Sequence, residues 1–242
     1  MPDSLTRFIP DAATTLIVVP AALLYGAAAA AFVAWLRIGR GVRVPYTRKA
    51  FHFLILSAAT PVHLAWGVSG VVVYGCVIAL LVAFAVMRGD GSGFYEAIAR
   101  GTDAPRRSLF IIVPLVTTAA GGVLANLLFP TWAHIGYMAV AWGDAVGEPV
   151  GTRWGRHRYR VPSIGGITAV RSLEGSAAVL ITSMLASGVV LRLESLEPAA
   201  VLGAAVLVGI VTALVEALSH HGLDNLTIQV AAAGAATFVL GG

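Results

Sequence analysis

Apolar residues along this chain are gathered in long runs, separated by short polar segments that are rich in arginine. A helix needs about 20 predominantly apolar residues to cross the hydrocarbon core of a bilayer. By this criterion the pattern predicts eight membrane-spanning helices, at residues 14–36, 50–66, 68–87, 108–129, 132–150, 170–191, 198–218 and 226–240. The predicted fold class is therefore an all-α, polytopic integral membrane protein, with a single transmembrane domain over residues 1–242.

The composition excludes a water-soluble globular protein. Hydrophobic residues make up 58% of the chain and charged residues 12%, whereas soluble domains are about 25% charged. Cys76 is the one cysteine in the sequence, so a disulfide scaffold is excluded as well. Because the basic residues lie between apolar runs, the net charge of +4 does not indicate a nucleic-acid partner.

The distribution of basic residues predicts the orientation in the membrane. Of the 16 lysines and arginines, all but Arg7 and Arg192 fall in loops on one side of the predicted spans. Positively charged loops remain in the cytosol, so this asymmetry places both termini outside. Four polar clusters then lie at the cytosolic ends of helices, where charged groups are costly and often functional.

The first cluster is Arg48, Lys49 and His52, at the start of the second span. Residues three and four apart share a helix face, so two cations lie beside one imidazole. Such a group binds phosphate, with histidine as a base or hydrogen-bond donor. The alternative is that the two cations simply reach toward anionic lipid head groups.

The second cluster ends the fifth span. Asp144 and Glu148 lie four residues apart on one helix face, a spacing of oxygen ligands that suits Mg²⁺. Two acids so close together repel each other unless a cation joins them. Glycines recur here at every fourth position, either for close helix packing or to let backbone N–H groups approach phosphate. They are Gly143, Gly147, Gly151 and Gly155.

The third cluster combines the arginine-rich loop 152–166 with the start of the sixth span. Arg171, Ser172 and Ser176 are expected in the first turns of that helix, where free N–H groups favour anions. Alternatively, Ser172 and Glu174 only cap the amino terminus of that helix. Most of the loop arginines are expected to serve topology, whereas Arg171 is the candidate phosphate ligand.

The fourth cluster lies between the last two spans. Glu216 falls within the seventh span, and a buried glutamate there favours a functional role. Asp224 and Asn225 either contribute to the same site or cap the eighth helix. His220 and His221 are too few ligands to predict a zinc site.

Together the clusters place carboxylates, guanidinium groups and glycine backbone at one membrane face. These groups suit a nucleoside triphosphate with Mg²⁺, because phosphoryl transfer depends on positioning and charge neutralisation. The residues therefore predict a membrane enzyme that acts on phosphates, with a lipid as its second substrate.

Four of these motifs occur in the order and spacing found in the polyprenol kinase family. They are Arg48-Lys49-x-x-His52, Gly143-Asp144-x-x-Gly147-Glu148-x-x-Gly151, Glu174-Gly175-Ser176, and Glu216 followed by Asp224-Asn225-Leu226. Across most of its length the chain resembles this family, which comprises dolichol kinase, phytol kinase and CTP-dependent diacylglycerol kinase. The family is distantly similar to CDP-diacylglycerol synthase.

The resemblance implies transfer of the γ-phosphate of CTP, or UTP, to the hydroxyl of a membrane isoprenoid alcohol such as phytol, geranylgeraniol or a polyprenol such as dolichol. It implies a Mg²⁺–nucleotide motif at Asp144 and Glu148, completed by Asp224 and Asn225. The proton acceptor is expected to be Glu174, His52 or Glu216. The other expected nucleotide contacts are Arg48, Lys49, Gly143, Gly147, Gly151, Arg171, Ser172, Gly175 and Ser176.

Three other functions remain as alternatives. A CTP-dependent diacylglycerol kinase would use the same donor, whereas a lipid-phosphate cytidylyltransferase would release pyrophosphate from CTP. The synthases carry a different, longer signature near the carboxyl end, which favours the kinase. An ion-coupled transporter is disfavoured because its acidic residues should lie near the bilayer midplane.

Overall fold

The computed structural model describes residues 5–161, 169–220 and 222–242. The chain forms two compact units, of which the first ends at Leu115 and the second begins at Val116. Helices dominate both units, as predicted. One two-stranded antiparallel hairpin in the second unit is a departure from the all-α prediction.

The first unit is built on two long helices. Helix α1 spans Ala12–Ala34 and continues as a π-helical turn over Trp35–Gly39. The side chain of Asp11 caps α1 by accepting a hydrogen bond of 2.6 Å from the backbone N–H of Thr14. Helix α2 spans Val44–Arg88, with Pro45 in its first turn, where a missing N–H costs little.

Gly67 divides α2 into two arms. Its φ of 65° and ψ of −162° are not helical, and only glycine adopts them without strain. The hydroxyl of Tyr74, beyond the break, donates to the carbonyl of Ile55 before it, at 2.8 Å. The two arms therefore pack side by side. This confirms the sequence-based boundary between the second and third predicted spans.

A polar loop follows α2 and contains a short helix, α3 (Gly93–Ile98). Arg107 ties this loop together by bonding Asp90 at 2.5 Å, Glu96 at 2.8 Å and the carbonyl of Ala99 at 3.0 Å. The start of α2 packs on the same loop, because the Thr47 hydroxyl donates to the carbonyl of Ala97 at 2.6 Å.

The second unit begins within helix α4, which spans Leu109–Leu128. A helical stretch follows that is interrupted by a π-helical turn at Val140–Asp144, between α5 (Ala133–Ala139) and α6 (Ala145–Trp154). Strands β1 (Arg158–Val161) and β2 (Ala169–Ser172) form the hairpin. The remaining helices are α7 (Leu173–Leu193), α8 (Pro198–Leu218) and α9 (Asp224–Leu240).

The hairpin corrects the predicted start of the sixth span. Arg171 and Ser172 lie in β2 and not in the first turns of a helix, and α7 begins only at Leu173. Ser172 has extended backbone angles, and its hydroxyl accepts a hydrogen bond from the Gly175 N–H at 3.1 Å. Its capping role is therefore confirmed, since a short oxygen-bearing side chain at this position satisfies a free N–H of the first turn.

Five helices of the described chain are long and apolar enough to cross a membrane, and the protein is therefore a polytopic membrane protein. Six of the eight predicted spans fall within them, because the broken α2 contains two. Residues 132–150 are divided by the π-helical turn, and α9 has only 17 residues. The five helices are Ala12–Gly39, Val44–Arg88, Leu109–Leu128, Leu173–Leu193 and Pro198–Leu218.

Candidate active site

Arg171 connects the hairpin to the two helices that follow α7. Its Nε atom lies 2.9 Å from Oε1 of Glu216 in α8, and its Nη2 atom lies 3.0 Å from Oδ2 of Asp224 in α9. The three side chains are only 11%, 12% and 13% exposed. Two carboxylates from different helices therefore share one guanidinium at a largely buried position.

One nitrogen of Arg171 is left over in this arrangement. Its Nη1 atom is buried, and no described residue accepts a hydrogen bond from it. An unused guanidinium donor that is out of water is costly, because the lost hydration is not replaced. The nitrogen is therefore a candidate donor to a bound anion such as phosphate.

Tyr159 extends the network from the opposite strand. It pairs with Arg171 in the hairpin register, and its hydroxyl lies 2.7 Å from Oγ of Ser176. Ser176 in turn donates to Oε2 of Glu216 at 3.5 Å. Partial burial raises the pKa of Tyr159 above its ordinary value, so the hydroxyl keeps its proton. A series of side-chain hydrogen bonds thus connects the hairpin to α7 and α8.

Asp224 and Asn225 form the first turn of α9. Oδ1 of Asp224 accepts a hydrogen bond from the N–H of Asn225 at 3.1 Å, and the Asn225 amide donates to the Thr118 hydroxyl at 2.8 Å. Both residues are buried. The hydroxyl of Thr117 bonds the carbonyl of Gly222 at 2.9 Å, so α4 fixes the turn before α9. Asp224 is thereby aimed at Arg171.

Asp144 ends the π-helical turn, and Glu148 follows one helical turn later in α6. The Asp144 side chain is buried and that of Glu148 partly buried. The turn packs against α7, α8 and α9, the helices that carry Ser176, Glu216 and Asp224. π-Helical turns are frequent at functional sites, because they re-aim side chains within a helix.

The glycines of the fifth predicted span pack against the start of α7. A methyl group on Gly151 would lie 2.9 Å from Oγ of Ser172, and one on Gly147 would collide with Val179. A methyl on Gly175 would lie 3.0 Å from the carbonyl oxygen of Gly147. Close helix packing therefore accounts for these glycines, and for Gly143, which faces Val179 in the same way. Their contact with a nucleotide stays a prediction.

Glu174 binds a histidine that sequence reasoning missed. Its Oε1 atom lies 2.8 Å from Nδ1 of His157, and both carboxylate oxygens accept from the His157 backbone N–H at 3.3 Å. No spacing in the sequence signals this pair, because His157 and Glu174 are 17 residues apart and come together only through the hairpin.

Four arginines of the predicted loop are exposed, unlike Arg171. They are Arg153, Arg156, Arg158 and Arg160.

Arg48, Lys49 and His52 lie in the first unit, within the first three turns of α2. Lys49 is 8% exposed, while Arg48 and His52 are partly buried. The adjacent Phe51 packs edge to face on Phe94 of α3, with ring centroids 4.8 Å apart. The three residues share a helix face as predicted, and their contact with phosphate stays a prediction.

The carboxylates of the second unit fit Mg²⁺ by donor chemistry. Among the described residues no group of three or more histidine, cysteine or acidic side chains could hold a metal ion by itself. Mg²⁺ requires fewer protein ligands, because it is commonly held by one or two carboxylates together with substrate phosphates and waters. Buried Asp144 with Glu148 meets this requirement.

A second buried ionisable pair lies between the start of α5 and the end of α7. Nε2 of His134 is 2.7 Å from Oε1 of Glu194, and the histidine is 2% exposed. This pair was also absent from the sequence-based expectations.

His221 and residues 162–166 of the predicted loop lie outside the described residues.

The chain is distantly similar to a phytol kinase from Synechocystis sp., with 37% identity over 112 residues. The match covers 46% of this chain and 46% of that protein, so the chain spans under half the length of this curated relative. No family model and no solved structure matches the chain. The similarity agrees with the resemblance to polyprenol kinases that the motifs indicate.

Proposed function

We propose that this protein is a lipid-alcohol kinase that transfers the γ-phosphate of CTP or UTP to a membrane isoprenoid alcohol such as phytol, geranylgeraniol or a polyprenol. The observation that carries the proposal is Arg171, which is held between Glu216 and Asp224 and whose buried Nη1 atom donates to no described residue. The similarity to a phytol kinase supports the same class of reaction.

The acidic residues of the second unit support a triphosphate that binds together with a divalent cation, because Mg²⁺ is commonly held by one or two carboxylates together with substrate phosphates. Asp144 and Glu148, with Asp224, are the proposed Mg²⁺ ligands, and Asn225 is proposed to support them. When bound, the ion supplies neutralisation of charge on the phosphate oxygens.

Arg171 is the proposed phosphate ligand of the second unit. Its Nε and Nη2 atoms are occupied by Glu216 and Asp224, which fix the guanidinium plane and leave Nη1 to donate to a phosphate oxygen. Arginine suits this role because its donors form a rigid fork. Arg48, Lys49 and the N–H groups at the start of α7 are proposed as further phosphate contacts.

We also propose that the chain crosses the bilayer eight times, with the basic loops and the active site on the cytosolic face. The broken α2 provides two crossings, and the stretch from α5 to α6 and α9 provide one each. In a Cys76→Ala background, cysteines placed at Trp154 and Ser195 should react with a membrane-impermeant thiol reagent from opposite sides. Labelling of both positions from one side would contradict this topology.

The reaction is tested with purified protein in lipid or detergent, Mg²⁺ and γ-labelled CTP, UTP, ATP or GTP. Phytol, a polyprenol and diacylglycerol are supplied separately. Label in an isoprenoid alcohol with CTP or UTP supports the proposal. Label in diacylglycerol alone would make the protein a diacylglycerol kinase, and pyrophosphate from CTP with phosphatidate would make it a cytidylyltransferase.

A further inference from the structure

The pairing of His157 with Glu174 has the geometry of a histidine oriented by a carboxylate. Nδ1 of His157 lies 2.8 Å from Oε1 of Glu174, and the same carboxylate accepts the backbone N–H of His157. One side chain thus fixes both the ring and the chain that carries it. A carboxylate bound to Nδ1–H selects the tautomer in which Nε2 has a free lone pair.

The second ring nitrogen of His157 is accessible. The side chain is 74% exposed, and within the described chain Nε2 forms no hydrogen bond. Glu174 is the charged side chain seen in contact with the ring. Arg156 and Arg158 flank it in sequence and are exposed, and the Arg158 Nε atom donates to the carbonyl of Gly155 at 3.3 Å.

His157 also lies on the element that positions Arg171. Its carbonyl accepts a hydrogen bond of 3.0 Å from the N–H of Leu173, which extends the hairpin by one step beyond the pair Arg158–Ser172. Arg171 lies two residues before Leu173, in strand β2. The accessible imidazole and the buried phosphate ligand are therefore carried by the same two strands.

We propose that His157 is the group that accepts the proton of the lipid hydroxyl, and that Glu174 is the positioning residue that orients it. The inference rests on the proposed function and deepens it, because the sequence left Glu174, His52 and Glu216 as alternatives. Glu216 is engaged by Arg171 and Ser176, and Glu174 is engaged by His157. His157, in contrast, presents its second ring nitrogen at an exposed surface, where no described residue bonds to it.

The oxygen of the lipid hydroxyl forms a bond to the γ-phosphorus, while the bond from that phosphorus to the β–γ bridging oxygen breaks. The bridging oxygen leaves with the electron pair as part of the nucleoside diphosphate. The hydroxyl proton passes to Nε2 of His157, and the resulting imidazolium is stabilised by the Glu174 carboxylate until it releases the proton to water.

The test compares His157→Ala with His220→Ala, which removes an exposed histidine from the loop between α8 and α9. A general base typically contributes about 100-fold or more, so His157→Ala should lose that factor in kcat with little change in the KM for nucleotide. Added imidazole should restore part of the lost rate to His157→Ala.

A double-variant cycle tests the role of Glu174. If Glu174 acts through His157, Glu174→Gln should slow the wild type but have no further effect in His157→Ala. If the two substitutions instead reduce kcat independently, so that their effects multiply, the inference is overturned. It is also overturned if added imidazole restores none of the rate lost in His157→Ala. In either case the pair only stabilises the hairpin.

Failure of the inference and failure of the proposed function give different results. If the wild type phosphorylates an alcohol and His157→Ala does so at the same rate, another group accepts the proton while the kinase function stands. If the wild type phosphorylates none of the alcohols with any nucleotide, the proposed function is wrong and this assignment falls with it.

Discussion

The guanidinium Nε of Arg171 lies 2.9 Å from the Glu216 carboxylate, and both side chains are almost fully buried. Arg171 belongs to a hairpin strand and Glu216 to a long apolar helix, so the pair joins parts of the chain that are 45 residues apart. A buried ion pair adds little net stability, because the desolvation cost offsets the attraction, but removing one partner leaves the other charge buried at a high cost in free energy.

Replacing Arg171 with Gln should destabilise the protein and abolish activity. The change removes the guanidinium that both carboxylates contact, and breaking a buried pair typically costs about 3–5 kcal/mol. Arg171→Lys should retain more stability but little activity, because an ammonium cannot reach two carboxylates and a phosphate with fixed donors. Thermal unfolding in detergent and phosphate transfer measure the two effects.

Arg160→Gln is the matched control for this position. Arg160 lies on the facing strand of the same hairpin but is exposed. It should unfold at nearly the wild-type temperature, since exposed charges contribute about 0–1 kcal/mol. Equal losses in the two variants would contradict the special position of Arg171.

Asp144→Asn should abolish phosphate transfer while the protein stays folded. The substitution keeps the size of the buried side chain but removes the charge that a Mg²⁺ ligand requires. We expect a loss of about 100-fold or more in kcat, as for other groups that stabilise transferring charge. Glu197→Gln, at an exposed carboxylate, is the control. Wild-type turnover in Asp144→Asn would rule out Asp144 as a metal ligand.

The apolar pattern predicted the helices well, because a run of about 20 apolar residues has few other stable conformations. It also located the break at Gly67. It failed for the two strands of the hairpin, because residues 158–161 were interpreted as part of a loop and residues 170–172 as the start of a helix. The hairpin there depends on tertiary contacts, such as Tyr159 with Ser176, that no local pattern encodes.

The candidate site was predicted only in part for the same reason. Glu216 and Asp224 were recognised as costly polar residues near helix ends, and the structure brings both to Arg171. His157 was missed because an exposed histidine among arginines carries no signal until Glu174 is folded against it. His134 was missed because its partner lies 60 residues away.

Gly136→Ala should destabilise the second unit. A methyl group there would collide with the backbone carbonyl of Gln229 in α9, which cannot turn aside as a side chain would. Overpacking of this kind costs about 1–3 kcal/mol. Gly188→Ala is the matched control, because its methyl would meet Ala205 at an ordinary 3.5 Å. Similar unfolding temperatures for the two variants would contradict the close contact of α5 with α9.

Acid should weaken the first unit through Glu96. The hydrogen bond and charge of Arg107 hold the pKa of Glu96 below its ordinary value of 4.5. A lowered pKa contributes stability that is present above the unfolded value and is lost as pH falls through the folded value. The unfolding temperature of the wild type should therefore decline more steeply below about pH 4.5 than that of Glu96→Gln. Parallel declines would show that the pair does not stabilise the fold.

The most direct test of the central claim uses two preparations of CTP, one labelled at the γ-phosphate and one at the α-phosphate. Each is incubated with the wild-type protein, Mg²⁺ and phytol or a polyprenol, and label is then measured in the extracted lipid. We expect lipid label from γ-labelled CTP and none from α-labelled CTP. Label from the α-position, or from neither, would contradict a lipid-alcohol kinase.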